Sequence, residues 1–169
     1  MVIKGIGRAE KLEKFLTYMK EQGWIVELNK MQEDCLPQVI AERYINIPQQ
    51  WRDFISTVKC LTNSDESVWF LCKNDFDVQK ELSFRWNEWE IISLESVENN
   101  IGWETEIKNF WNIHLPIIMS VKDEYSYYAI SLNNGSVVYG SEPEFEECKI
   151  VANSFEEFLS KIMKCEILI

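Results

Sequence analysis

The chain has 169 residues, of which 46% are hydrophobic and 27% are charged, and its formal net charge is −11 at pH 7. This length favours one domain, and seven tryptophans and nine phenylalanines supply enough apolar volume for one core. The negative charge argues against binding to nucleic acid or to an anionic membrane, because their phosphates would repel the protein.

The negative charge is concentrated in the second part of the chain. Residues 1–60 carry nine Lys and Arg and eight Asp and Glu, whereas residues 61–169 carry eight and twenty. An acidic surface attracts a basic protein and speeds its association, so the charge is consistent with a basic protein partner. The alternative is that the charge only keeps the protein in solution.

The five cysteines predict free thiols rather than disulfides or a metal site. Their number is odd, no two have the C-x-x-C spacing, and His114 is the single histidine. The first residues lack an apolar signal segment, and no stretch is long and apolar enough to cross a membrane. We therefore expect a cytoplasmic protein, monomeric and without a metal or other cofactor.

The first sixty residues predict three helices and a strand. A helix is expected at 9–22 and a strand at 24–28, which together form an N-terminal extension at 9–30. Pro37 and Pro48 are each placed to begin a further helix, since proline suits the first helical turn. Two apolar stripes with the spacing i, i+3, i+4 and i+7 indicate core-facing sides, namely Leu12, Phe15, Leu16 and Met19, and then Trp51, Phe54, Ile55 and Val58.

The middle of the chain has a weaker pattern. Residues 68–72 are a continuous apolar run, which predicts a buried strand. Residues 84–97 do not settle on one helical face, so we predict a loop or strand there and a short helix at 94–99. Another helix is expected at 103–114. His114 falls on its apolar side near the end, where a structural bond to a free carbonyl is favoured over catalysis.

The last third predicts a hairpin, one more strand and a capped helix. Asn134-Gly135 is a strong turn signal, and Ser154 with Glu157 has the spacing of a capping box. The helices and strands together predict a single α+β domain, in which N-terminal helices and one C-terminal helix pack on a largely antiparallel sheet. The expected strands are 116–121, 127–132, 137–139 and 149–152.

No familiar catalytic motif occurs in the sequence. Gly5 and Gly7 lack the third glycine of a dinucleotide site, and the phosphate-loop, serine-hydrolase and zinc-protease patterns are missing. Carboxylates are the remaining candidates, with Asp75 and Asp77 in one loop and residues 142–147 in another. Three interpretations stay open: a solvated acidic surface, a partner-binding patch or, least favoured, a metal-dependent hydrolase.

Three segments resemble the SUKH superfamily in their order and spacing. Residues 47–55 are similar to its helix start, in which a proline is followed by an aromatic residue three positions on and a phenylalanine six positions on. Residues 127–139 are similar to its strand pair, and residues 151–159 to its closing Ala-x-Ser-Phe-x-x-Phe-Leu helix. The resemblance covers residues 37–162 of this single domain. The usual glycine-rich segment after the first of these motifs is replaced by residues 59–63.

The resemblance implies a binding domain without catalytic residues. Bacterial members of the superfamily bind and neutralise a cognate toxin, often a nuclease, and fungal members act as scaffolds in cell-wall signalling. An immunity protein with a basic toxin as its partner is therefore expected, with a scaffold as the alternative. Many members carry a His-Glu or Asp-x-Glu pattern where this chain has Gly140-Ser141-Glu142. The candidate partner-binding residues are Asp75, Asp77, Trp103, Asp123, Glu124, Tyr125, Tyr139, Glu142, Glu144, Phe145, Glu146 and Glu147.

Overall fold

The computed structural model describes residues 3–169, with side chains from residue 7 onward. This range forms six α-helices, one 3-10 helix at Lys73–Phe76 and a seven-stranded sheet, which confirms the predicted α+β class. The helices are α1 (Ile3–Glu21), α2 (Gln38–Arg43), α3 (Gln49–Thr57), α4 (Glu88–Ser96), α5 (Ile101–Ile113) and α6 (Phe155–Met163). The strands are β1 (Ile25–Leu28), β2 (Val58–Thr62), β3 (Val68–Phe70), β4 (His114–Ser120), β5 (Ser126–Ser131), β6 (Val137–Ser141) and β7 (Cys148–Ala152).

The sheet is a meander in which each strand pairs antiparallel with the next strand along the chain. Antiparallel pairing places the end of one strand beside the start of its neighbour. Ser120 at the end of β4 therefore faces Val68 at the start of β3 and Ser126 at the start of β5. Ser126 in turn pairs with Ser141 at the end of β6. These residues mark one end of the sheet, where three loops meet.

Helices cover both faces of the sheet. Tyr127 and Tyr128 are consecutive in β5 and so point to opposite faces. The Tyr128 ring lies 5.0 Å from that of Phe158 in α6, whereas the Tyr127 ring lies 4.9 Å from that of Trp111 in α5. Helices α1 and α3 join α6 on its face, where the Phe54 ring contacts Phe155. Because both faces are covered, the central strands are buried on both sides instead of alternating between core and solvent.

Helix α4 occupies Glu88–Ser96, so the prediction of a loop or strand with a helix at 94–99 was wrong. The sequence did not predict this helix because its inward-facing side carries polar residues. Glu90 and Ser93 are buried there beside Trp89, and polar residues at inward positions remove the apolar period on which a helix prediction relies. Strand β2 was missed for a related reason, because Val58 continues the apolar stripe of the preceding helix although the backbone is already extended.

The turn and cap signals of the last third are largely confirmed. Gly135 has a φ of +77°, and its amide donates to the carbonyl of Ser131 at 2.7 Å, although the connection is five residues long rather than two. The Ser154 hydroxyl accepts a bond from the amide of Glu157 at 3.1 Å. The carboxylate of Glu157 accepts from the amide of Asn153 at 2.7 Å, one residue before the expected partner.

An ion pair between Arg43 and Glu90 ties α2 to α4. Both guanidinium Nη atoms donate to the carboxylate, at 2.7 and 2.8 Å, and the side chains are only 21% and 9% exposed. Arg43 also donates to Asn112 Oδ1 in α5, at 3.2 Å from Nε and 3.1 Å from Nη2. The same guanidinium lies 5.6 Å from the centre of the Trp86 ring. One side chain thus links three helices on the face that carries Trp111.

The Glu90→Gln substitution should lower the free energy of unfolding by about 2–3 kcal/mol, because it leaves a largely buried guanidinium without its counter-charge. Glu27→Gln is the matched control. Glu27 pairs with Lys59 at 2.8 Å, but these side chains are 52% and 51% exposed, so solvent screens the pair and its loss should be much smaller. Urea denaturation measures the free energy of unfolding of both variants. Equal losses would contradict a special contribution of the buried Arg43–Glu90 pair.

Candidate protein-binding surface

Two loops that are rich in acidic residues meet at the end of the sheet that Ser120, Ser126 and Ser141 mark. The turn at 121–125 joins β4 to β5, and the loop at 142–147 joins β6 to β7. They are held together by two bonds. The Glu142 amide donates to the Tyr125 carbonyl at 2.8 Å, and the Tyr125 amide donates to the Glu142 carboxylate at 2.9 Å.

A third loop, at 63–67, lies beside them. It joins β2 to β3, and the amide of Val121 donates to the carbonyl of Ser67 at 2.8 Å. This loop contributes Asp65 and Glu66 to the same surface. They were not among the candidate residues predicted from the sequence, because their position depends on the register between β3 and β4. We call the surface formed by these three loops the acidic end. Its carboxylates are Asp65, Glu66, Asp123, Glu124, Glu142, Glu144, Glu146 and Glu147.

The acidic end carries a large uncompensated charge. Eight carboxylates stand against Lys122 and Lys149, a formal net charge of −6. Among the residues whose side chains are described, no Lys or Arg nitrogen lies within 4.0 Å of any of these eight carboxylates. The resulting potential extends into solvent over a Debye length of about 8 Å at physiological ionic strength.

The eight carboxylates divide into two groups. One group is held by bonds within the protein: Glu142 by the Tyr125 amide, Glu146 by Trp111 Nε1 at 2.7 Å and Glu124 by the Tyr139 hydroxyl at 3.2 Å. Asp65 belongs to it as well, because hydrogen bonds from Ser67 lower the pKa of that carboxyl. The other group is exposed and has no side-chain bond within the described part of the chain, namely Glu66, Asp123, Glu144 and Glu147.

The loop at 142–147 is fixed from beneath by Tyr127. Its ring lies against Gly140, where an added Cβ would fall 2.5 Å from the hydroxyl and 2.6 Å from two ring carbons. The hydroxyl donates to the carbonyl of Phe145, and burial raises the pKa of this phenol, so it remains a donor at neutral pH. The absence of a side chain at Gly140 therefore allows the bond that positions the loop.

Phe145 was predicted to contact a partner, but its side chain lies in the core. The side chain is 2% exposed and stacks on Trp89 with ring centroids 5.4 Å apart and planes 7° apart. Tyr125 stacks on the same Trp89 indole, with ring centroids 4.8 Å apart, and is half-buried. Both rings anchor acidic loops to the core, whereas Tyr139 remains partly open to solvent at the sheet surface.

Asp75, Asp77 and Trp103 are not part of the acidic end. Both aspartates follow the opposite end of β3. The Asp75 carboxylate accepts from the Cys72 amide at 2.7 Å, and burial raises the pKa of its carboxyl, while Asp77 accepts from the Gln79 amide at 3.1 Å. Trp103 lies at the start of α5, 59% exposed, beside Ile101, which is 80% exposed. Two residues apart on a helix, these exposed apolar side chains do not face each other, and both lie away from the acidic end.

His114 has the contacts of a packing residue. It is 9% exposed, its Nδ1 donates to the Phe110 carbonyl at 2.8 Å, and its ring stacks on Phe110 at 4.0 Å. Burial lowers the pKa of the imidazole. No three His, Cys, Asp or Glu side chains in the described part of the chain are arranged to hold a metal ion. No helix within residues 3–169 is long and apolar enough to span a membrane.

Comparison with known proteins gives no match to any family model, curated protein or solved structure. The resemblance to the SUKH superfamily therefore stays a prediction carried by the three segments of the sequence.

Gly140→Ala should lower the free energy of unfolding by about 1–3 kcal/mol, since the new methyl group overlaps the Tyr127 ring and the core must shift. Gly102→Ala in α5 is the matched control. Its nearest side-chain atom is Asn100 Oδ1 at 3.5 Å, so this change should be neutral or stabilising by up to about 1 kcal/mol. Thermal or urea denaturation of both variants checks the contrast. An unchanged free energy of unfolding for Gly140→Ala would refute the close contact between Tyr127 and Gly140.

His114 should make stability fall in mild acid. The folded state has a lowered imidazole pKa, so the unfolded chain binds more protons once the pH drops below its ordinary value of about 6.5. The stabilising contribution is complete above that value and decreases from there down to the folded pKa. Between pH 7.5 and 5.5, wild type should lose up to about 1.4 kcal/mol more than His114→Gln, which keeps a donor for the Phe110 carbonyl. Identical losses in urea titrations would contradict this.

Proposed function

We propose that this protein is a binding domain whose acidic end receives the basic surface of another protein. The observation that carries the proposal is the clustering of eight carboxylates on three neighbouring loops, without an ion pair to a described basic residue. In its specific form, the proposal is that the chain is an immunity protein that neutralises a cognate toxin, with a nuclease as the preferred target.

The charge of the acidic end suits a nuclease as target. An enzyme that holds the phosphates of nucleic acid presents Lys and Arg in its cleft. A surface with a formal charge of −6 offers such a cleft carboxylates in place of phosphates. Opposite potentials accelerate encounter and suppress wrong partners. The protein would thus compete with nucleic acid for the same cleft.

The anchoring of the loops favours tight association. Glu142 joins two loops through backbone bonds, and the Tyr127 hydroxyl holds the Phe145 carbonyl. A surface that is already ordered loses little conformational entropy on binding. A standard interface would bury about 800 Å² on this side, which is more than the four free carboxylates supply, so part of the neighbouring sheet surface must contribute.

A scaffold that holds two partners is the second candidate. It is favoured by the exposed Trp103 at the start of α5, which is separate from the acidic end. Exposed tryptophan is enriched at the centres of protein interfaces. If the chain is a scaffold, two different proteins should bind at the same time, and a Trp103→Ser variant should lose one of them only.

The first experiment identifies the partner. The protein is purified with its bound proteins from its native cells, and mass spectrometry together with the neighbouring gene tests whether the partner is a toxin. Cells that express this toxin should survive only when the wild-type protein is present. Survival without it, or a captured partner without toxicity, would refute the immunity form of the proposal.

The exposed carboxylates should set the rate of association. Changing Asp123, Glu144 and Glu147 to lysine raises the charge by six units without removing a bond within the described chain. It should slow association with the captured partner about tenfold or more and reduce the salt dependence of that rate. Glu142 and Glu146 are left intact because their substitution would also release Tyr125 and Trp111.

The matched control changes Glu10, Glu13 and Glu21 to lysine, three exposed positions on α1 with the same change in total charge. Association should be slowed much less than by the first variant. Stopped-flow measurements at low and physiological salt make the comparison. Equal rates for the two variants would show that total charge acts, and not the acidic end.

A further inference from the structure

A groove of about 700 Å³ lies on the α6 face of the sheet, immediately beside the acidic end. Its floor is formed by partly exposed side chains of neighbouring strands, among them Tyr128, Tyr139 and Val151, with the buried Ile118 beneath them. The Tyr128 and Tyr139 rings contact each other at 5.1 Å. The floor is thus aromatic and aliphatic, although it lies at the most charged part of the molecule.

The segment after α6 forms one wall of the groove. The Glu166 amide donates to the Lys161 carbonyl at 2.9 Å, the Cys165 amide donates to the Ile162 carbonyl at 3.0 Å, and Cys165 has a φ of +58°. This is the bonding pattern with which a helix ends and the chain reverses. It brings Ile167 and Ile169, both partly buried, along the groove.

The rim of the groove is acidic on the side of the acidic end. Asp123 and Glu124 line it there beside the single ammonium of Lys122, and Glu166 lines it from the wall. The ammonium of Lys149 already lies 5.4 Å from the centre of the Tyr139 ring, whose hydroxyl donates to Glu124. A cation is therefore stabilised at this place by a ring face close to a carboxylate.

We propose that the groove is the anchor site for a short segment of the basic partner, in which an apolar side chain stands next to Arg or Lys. The apolar side chain packs on Tyr128 and Tyr139, and the basic one pairs with Asp123 or Glu124. This inference rests on the proposed function and deepens it. The acidic end attracts the partner, and the groove supplies the apolar contact that holds it.

Charge complementarity selects this occupant over two others. A second copy would bring one acidic end against another, because a symmetric contact uses the same surface twice. The chain's net charge of −11 also opposes self-association. A small anion would face the carboxylates of Asp123, Glu124 and Glu166, which outnumber the ammonium groups of Lys122 and Lys149 in the lining. A basic, partly apolar segment meets complementary groups on both the floor and the rim.

Short peptides test the groove without the natural partner. The ¹⁵N-labelled protein is titrated to millimolar concentration with the capped peptide Arg-Leu-Phe-Arg, and amide shifts are followed by NMR. The largest shifts should fall on Tyr128, Tyr139 and Ile167. The peptides Arg-Ser-Ser-Arg and Glu-Leu-Phe-Glu should each bind about tenfold or more weakly, since each lacks one of the two contacts.

Variants of Tyr139 separate the groove from the surrounding charge. Tyr139→Ser should weaken Arg-Leu-Phe-Arg about tenfold, whereas Tyr139→Phe keeps the ring and should retain binding. Trp103→Ser is the matched control, because it removes an exposed aromatic side chain elsewhere and should change nothing. The same spectra show whether each variant is folded.

Several outcomes would overturn the inference. Equal binding of Arg-Ser-Ser-Arg, with shifts confined to Asp123, Glu144 and Glu147, would leave the acidic end but remove the groove. Equal binding of Glu-Leu-Phe-Glu would refute the preference for a basic segment. If no peptide shifts any amide signal, the groove is not a peptide-binding site. Concentration-dependent association in sedimentation would assign the groove to a second copy. The charge-reversal experiment with the captured partner is independent of all four, so failure of the groove and failure of the proposed function are distinguishable.

Discussion

The position of the acidic loop depends on how closely the Tyr127 ring approaches the backbone of Gly140. The ring fits only because this residue lacks a side chain, and its hydroxyl then reaches the carbonyl of Phe145. Phe145 turns inward onto Trp89, while Glu144 before it stays exposed and Glu146 after it reaches back to Trp111 Nε1. The charged surface is therefore shaped by packing on the covered face of the sheet, and not by attraction among the charges, which repel one another.

This arrangement explains where a binding surface can lie in this fold. Tyr127 and Tyr128 carry helices on opposite faces, and the central strands are closed to solvent on both sides. What remains open is the end of the sheet, where the loops leave, and the part of the α6 face that this helix does not cover. Like charges are tolerated at such an end because water screens them there. The acidic end and the groove are adjacent because these two open regions of the sheet adjoin each other.

Local signals in the sequence predicted the elements that depend on local chemistry. Proline before α3, Ser154 before α6 and the glycine of the hairpin turn act within a few residues of themselves. Distant partners account for the failures. Glu90 looks like a surface residue until Arg43, 47 positions earlier, is beside it. Phe145 stands among glutamates in the sequence, yet its ring belongs to the core. Asp65 and Glu66 join the surface only through strand register, which a single sequence does not specify.

The sequential order of the sheet also bears on how the protein assembles. Each strand pairs with the one made before it, and the pairs β2–β3, β4–β5, β5–β6 and β6–β7 are joined by loops of five or six residues. Such short loops lose little entropy on closing. The hairpin of β5 and β6 and the loop that follows can form as soon as those residues leave the ribosome. The contact between Lys11 in α1 and Glu156 in α6 spans 145 positions and must wait until α6 has been made. The acidic surface can thus take shape before the domain is closed.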